Sequence, residues 1–271
     1  MSAEEKMALL KENLAAMGSL LVAYSGGVDS TFLALVAHQV LGDKSIAVTA
    51  SSPTLSQREQ AEGANLALRL GLRHQIIKVE PFDIPGYEDN PPDRCYLCKH
   101  QLFSTLKGLC HEMGISHVAD GSNVDDLSDY RPGLIALQEL NVSSPLMEAG
   151  ITKADIRELS RDMGLTTWDK PAAACLASRF PFGQRIDPEK LSRVERAEEM
   201  LFNLGFKQVR VRVHNDLARI EVAPDERNKF INEVLMEQIN AEFKDLGFRY
   251  VTLDLEGYRT GSLNPATGPK V

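Results

Sequence analysis

Cysteine is scarce in this chain, at four in 271 residues. That is too few for a disulfide-built scaffold, and a reducing cytosol keeps Cys95, Cys98, Cys110 and Cys175 as thiols, to be read as ligands, nucleophiles or core. Long apolar runs are missing too. None approaches the ~18 residues that span a bilayer, and residues 1–18 are charged and helical rather than leader-like. A cytoplasmic protein with no membrane partner is expected. Nor is positive charge in excess. The net charge of −8 argues against a broad surface for long nucleic acid, while a local basic cleft and small anionic substrates stay open. Internal repeats and low-complexity segments are absent.

What remains is the composition of an ordinary soluble globular protein, 43% apolar and 25% charged. The length lies near the point where one hydrophobic core stops growing, so a large domain with a smaller one is expected. Strand-like and helix-like segments alternate for about two thirds of the chain, which implies an α/β fold with a parallel sheet and helices on both faces. Helical spacing or helix-end signals predict helices over 56–70, 96–113 and 153–163, and strands are predicted at 20–24, 45–50, 75–79 and 117–119. Proline and glycine mark 168–183 as a loop. Beyond Gly183 the pattern becomes a helix at 188–204, a hairpin of 208–214 and 217–222 around Asn215-Asp216, a helix at 226–243 and a strand at 250–255. This predicts domains at 1–185 and 186–271. The second is a smaller α+β (αββαβ) unit suited to self-association, and the tail from Gly257 is expected to be a loose arm.

Ser25-Gly26-Gly27-Val28-Asp29-Ser30 lies between the buried strand at 20–24 and the helix carrying Phe32, Leu33, Leu35, Val36 and Val40. Gly26 and Gly27 can take backbone angles closed to other residues and admit a ligand to the main chain. Unpaired amides at the helix start face an anion, and Ser25 and Ser30 add hydroxyl donors. A merely capped turn would explain the glycines and serines but not the whole string. SGGVDS resembles the PP-loop of the ATP pyrophosphatases, which split ATP between the α and β phosphates and adenylate a substrate. It lacks the lysine of a Walker A loop.

Asp120-Gly121-Ser122-Asn123-Val124-Asp125-Asp126 directly follows the fourth predicted strand. Ligands of open α/β sheets bind beyond the carboxyl ends of strands, so Gly121, Asn123, Asp125 and Asp126 would flank the glycine loop if the two strands are neighbours. Asp29, Asp125 and Asp126 are then available to hold magnesium; turn and cap formation is the alternative.

Cys95 and Cys98 sit three apart at a helix start between Arg94 and Lys99, a setting that favours thiolates. Cys175, in a proline-flanked loop, is the natural third ligand. Three thiolates fit a 4Fe-4S cluster with one iron left without a protein ligand. Zinc, with His74, His100 or His111 as fourth ligand, is the rival, followed by a redox pair and by unliganded thiols. Cys110 falls beside Leu106, Leu109 and Met113 and reads as a buried small hydrophobe.

Together with SGGVDS, the segments 94–99, 120–126, 129–133 (DYRPG) and 175–181 (CLASRFP) resemble the LarE family, and the likeness runs on through 209–216 and 250–255. The resemblance implies a fold like the adenine nucleotide alpha hydrolases and an ATP-dependent sulfur transferase of nickel-pincer nucleotide biosynthesis, using ATP and Mg2+. ATP adenylates a carboxylate of a pyridinium-dicarboxylate mononucleotide, pyrophosphate leaves, and a sulfur nucleophile gives a thiocarboxylate and AMP. Asp29, Ser30 and Cys175 are the implied catalytic residues. Arg131 and Arg179 can meet the substrate's phosphate or carboxylates, or anchor their own loops. Arg210 and Arg212 share one strand face, read as solvated by default and as an anion site otherwise.

Family members with only the cysteine matching Cys175 sacrifice its sulfur; those with all three resemble cluster-dependent enzymes. This chain has all three, which favours a cluster bearing an extra sulfide. A sulfur donor of unknown identity and a homo-oligomer complete the expected partners. Two rivals remain: a tRNA thiolase, and a non-catalytic nucleotide-binding or metal-sensing module.

Overall fold

Ser2 starts the first helix by local chemistry. Its hydroxyl accepts from the Glu5 N–H while the Glu5 carboxylate accepts from the Ser2 N–H, a capping box ahead of α1 (Ala3–Met17). The computed structural model describes residues 1–128, 132–171 and 174–259. The chain divides into two units, Met1–Tyr87 with Asp93–Ala173, and Glu88–Pro92 with Ala174–Val271. The boundary expected between 185 and 186 lies inside the second unit. Most of the arm expected after Gly257, residues 260–271, lies outside the described residues.

In the first unit α1 is followed by β1 (Leu20–Ala23), α2 (Val28–Leu41), β2 (Ser45–Ser51), α3 (Gln57–Arg69), β3 (His74–Lys78), α4 (Arg94–Met113), β4 (His117–Ala119), α5 (Gly133–Glu139), α6 (Pro145–Glu148) and α7 (Lys153–Asp162). The strands form one parallel sheet in the order β3-β2-β1-β4, the α/β architecture that the alternation predicts. Its inner strand β1 is covered on both faces. Leu20 and Val22 join Leu10, Leu14, Phe32 and Ile151 on one side, and Leu21 joins Ile46, Val48, Phe103, Leu106 and Cys110 on the other. Each such side chain taken fully out of water contributes roughly 1.5–3 kcal/mol. Cys110 belongs to this core, and burial pushes its thiol up to about 11.

Strand order positions the site. From β1 the chain builds β2 and β3 on one side and then crosses back to add β4 on the other. That reversal is a topological switch point, and it brings the turns leaving β1 and β4 side by side at the carboxyl end of the sheet.

In the second unit Asp187 caps α8 (Pro188–Asn203), its side chain accepting from the Lys190 N–H at 2.8 Å. A hairpin of β5 (Val209–His214) and β6 (Leu217–Val222) turns at Asn215, whose φ is +56°, and β7 (Tyr250–Leu253) joins β6 in parallel. The helix expected over 226–243 is two elements, a 3-10 segment Pro224–Ile231 and α9 (Glu233–Asp245). Asn232 causes the break. It is extended, and its side chain accepts from the Leu235 N–H at 3.2 Å, so it starts a new helix instead of continuing the old one. Among the described residues no helix is long and apolar enough to cross a membrane.

Candidate active site

The turn from β1 into α2 is shaped by two close approaches. Gly26 has φ of +71°, and a Cβ there would lie 2.7 Å from the Gly63 Cα on α3, so both the backbone angle and the space require glycine. Gly121, leaving β4, packs closely on α2: a Cβ on it would stand 3.1 Å from the Ser30 nitrogen. Gly27 precedes α2, and no side-chain cap bond satisfies this helix start among the described residues. The first-turn amides of α2 are therefore available to an anion. Ser25 Oγ and Ser30 Oγ stand 3.0 Å apart, and Ser25 Oγ accepts from the Gly27 N–H at 3.3 Å. The two hydroxyls and the amide thus face one small space.

Sequence reasoning missed Lys153. Its ammonium meets both oxygens of Asp29 at 2.5 and 2.7 Å, and its own N–H donates to Asp125 Oδ2 at 2.6 Å. A signal was available: lysine at the first position of α7 opposes the helix dipole, a local cost that marks a position selected for something else. Asn123 Nδ2 reaches Asp29 at 3.5 Å, while Asn123 Oδ1 accepts from the Asp125 N–H and Asp126 Oδ2 accepts from the Asn123 N–H, each at 3.0 Å. Asp125 and Asp126 thus organise their own loop and the start of α7, and Asp29 is the carboxylate at the head of α2. Beneath them Asp120 accepts from the hydroxyls of Ser122 and Ser144, with Lys99 at 3.7 Å. On the far side of β1, Thr49 Oγ1 donates to the Tyr24 carbonyl and stands 2.8 Å from His74 Nε2. Burial raises the Tyr24 hydroxyl pKa and lowers that of His74.

The cysteines take different positions. Cys95 is exposed and Cys98 half-buried in the first turns of α4, where an i,i+3 spacing gives them a common face. Cys175, half-buried, opens a 3-10 turn, Leu176–Arg179, in the second unit. Three thiols suit an iron-sulfur cluster chemically, but among the described residues no group of three His, Cys, Asp or Glu side chains is gathered to hold a metal.

Arg179 is consumed by its surroundings. Its guanidinium meets Glu198 through two bonds of 2.9 and 2.8 Å and donates to the carbonyls of Ala174 and Cys175 at 2.6 and 3.0 Å. It is an anchor of the Cys175 loop. Arg131 lies outside the described residues, as do Asp129 and Tyr130. Arg210 and Arg212 are not on a solvated face. Both are buried; Arg212 pairs with Glu221 at 3.0 Å and donates to the Ser178 carbonyl, and Arg210 stacks over Tyr258. The turn at 176–179 roofs that side of β5, so charges there are paired rather than wet.

An uncapped, glycine-lined helix start carrying SGGVDS at the switch point of a parallel sheet fits a PP-loop ATP pyrophosphatase domain. The NAD synthase family model matches residues 3–89, a span that includes α1 through β3. Over nearly the full length, the chain is 39% identical to the pyridinium-3,5-bisthiocarboxylic acid mononucleotide synthase of Lactiplantibacillus plantarum, covering 96% of this chain and 94% of that one. It is 46% identical to an uncharacterized protein of Synechocystis sp. (96% and 97% covered) and 34% identical to one of Methanocaldococcus jannaschii (94% and 98%). The chain belongs to the LarE family of ATP-dependent sulfur transferases.

Proposed function

We propose that this enzyme adenylates a carboxylate of a pyridinium-dicarboxylate mononucleotide and converts it to a thiocarboxylate in nickel-pincer nucleotide biosynthesis. The observation that carries the reading is the open start of α2 with Asp29 and Lys153 beside it. A substrate carboxylate oxygen attacks the α-phosphorus of ATP, the bond to the β-phosphate oxygen breaks, and pyrophosphate leaves with that electron pair. The amides at the head of α2, the hydroxyls of Ser25 and Ser30, and the Lys153 ammonium take up the charge that develops on it. Magnesium supplies further charge neutralisation when bound, and Asp29 is the carboxylate to hold it, since Mg2+ takes one or two carboxylates plus phosphates. Gly121 and Asn123 close the other wall. A sulfur nucleophile then attacks the acyl carbon and expels AMP.

Cys95, Cys98 and Cys175 are the residues that would hold a 4Fe-4S cluster, whose iron without a protein ligand would carry an extra sulfide taken from a separate sulfur donor. Arg179 keeps the Cys175 loop in place through Glu198, and Arg131 is the remaining candidate for the substrate's anionic groups. The test is anaerobic turnover of single cysteine variants. Replacing Cys95, Cys98 or Cys175 with alanine should each abolish bound iron and sulfur transfer while leaving pyrophosphate release largely intact, and Cys110→Ala should do neither. If Cys95→Ala and Cys98→Ala keep multiple turnovers without iron, the cluster reading fails. A Cys175 lighter by one H2S after a single turnover would instead establish a sacrificial route.

A further inference from the structure

Lys170 is a further lysine, at the glycine turn itself, that the chemistry above does not use. Its ammonium lies 3.3 Å from the Gly26 carbonyl oxygen and 3.3 Å from Glu62 Oε2. Glu62 is the neighbour of Gly63, the residue packed on Gly26, and the Tyr24 hydroxyl donates to the Gly63 carbonyl at 3.1 Å. The backbone bearing Lys170 is itself held. Arg157 of α7 donates to the carbonyls of Trp168 and Lys170 at 2.6 and 3.2 Å, and the Lys170 N–H donates to the Thr167 carbonyl. A cation on a braced loop therefore points at the outer side of the phosphate-binding turn.

The peptide unit between Gly26 and Gly27 is planar and trans, so its carbonyl and its N–H point in opposite directions. Holding the Gly26 carbonyl toward Lys170 sends the Gly27 N–H inward, where it meets Ser25 Oγ at 3.3 Å, beside Ser30 Oγ. With glycine on both sides this peptide can invert at little steric cost, because Gly27 tolerates positive φ as readily as its present −79°. Inversion would turn a carbonyl oxygen, a repulsive group, toward the pyrophosphate end of ATP. We propose that Lys170 is a positioning residue that selects the donor-inward orientation of the Gly26–Gly27 peptide, with Glu62 holding the ammonium in place. This rests on the reading of the turn as a phosphate-binding loop, and not on which carboxylate is adenylated.

The experiment measures equilibrium binding of inorganic pyrophosphate and of AMP, each with Mg2+, to the intact chain by calorimetry. Lys170→Met should weaken pyrophosphate binding about 10- to 100-fold, the loss expected of one charge-assisted hydrogen bond, and leave AMP binding within about two-fold. Lys170→Arg, which keeps a cationic donor, should recover most of the pyrophosphate affinity. Unchanged pyrophosphate affinity in Lys170→Met overturns the assignment, and so does an equal loss of AMP and pyrophosphate that arginine fails to rescue. A parent chain that binds no pyrophosphate at all overturns the phosphate-loop reading beneath it.

Discussion

Two ion pairs show how differently the halves of this molecule use charge. Asp29 and Lys153 meet at the head of α2 with side chains 27% and 34% exposed, within reach of solvent and ligand. Arg179 and Glu198 meet in the second unit at 4% and 7%, with two parallel bonds and backbone groups completing the set. An open pair contributes little to stability and can rearrange around an incoming anion. A closed pair is dry, fully partnered and costly to halve. The proposed reaction uses the first pair and the fold of the second unit uses the second, although all four residues are polar groups in loops or at helix positions of similar appearance in the sequence.

The largest expected effect comes from halving the closed pair. Glu198→Ala leaves Arg179 buried without its carboxylate and removes the acceptor of the Val211 N–H, so the second unit should lose about 3–5 kcal/mol, read as a lower urea midpoint. A change under ~1 kcal/mol would place Arg179 among solvated groups and blur the comparison. Next is the open pair. Asp29→Ala and Lys153→Met should each lower pyrophosphate release by about 10²–10³-fold with the urea midpoint of the first unit nearly unchanged. Equal losses of stability and activity would erase the distinction between the two pairs.

A smaller effect depends on pH. Asp155 accepts from the Thr152 N–H and hydroxyl and from Lys6, and although burial works against its charge, these bonds hold its carboxyl down at about 2. Its folded value is below its unfolded one, so its contribution is complete above the ordinary carboxylate range near ~4 and disappears as pH falls through about 2. Asp155→Asn should therefore flatten the acid limb of unfolding between those values and leave the neutral limb parallel to the parent. An acid limb of unchanged slope would remove Asp155 from the linkage.

Much of the first unit was legible because its signals are local. The apolar run at Leu20, Leu21 and Val22, the glycines behind it and the helical spacing from Phe32 identify strand, turn and helix without tertiary information, and Asp120 through Asp126 follow a short strand in the same way. What was not legible depends on neighbours distant in sequence. Lys153 and Lys170 become part of the loop only because α7 and the segment after it return to β1, 124 and 144 residues away from their partners Asp29 and Gly26. The two-residue period put Arg210 and Arg212 on one face, but only the turn at 176–179 makes that face dry. The break at Asn232 was within reach, since asparagine ahead of an acidic first turn is a helix start. The proposed cluster, by contrast, joins Cys175 to a Cys95–Cys98 pair distant in sequence, a partnership that no local signal carries.

The most direct test of the central claim is product analysis of the purified chain with ATP, Mg2+, the pyridinium-dicarboxylate mononucleotide and a sulfide source under anaerobic conditions. Pyrophosphate and AMP should appear in equal amounts, matched by a mononucleotide in which one carboxylate oxygen has become sulfur, all three dependent on Asp29. Release of ADP and phosphate, or pyrophosphate formed without any sulfur-bearing mononucleotide by the parent chain, would contradict that claim.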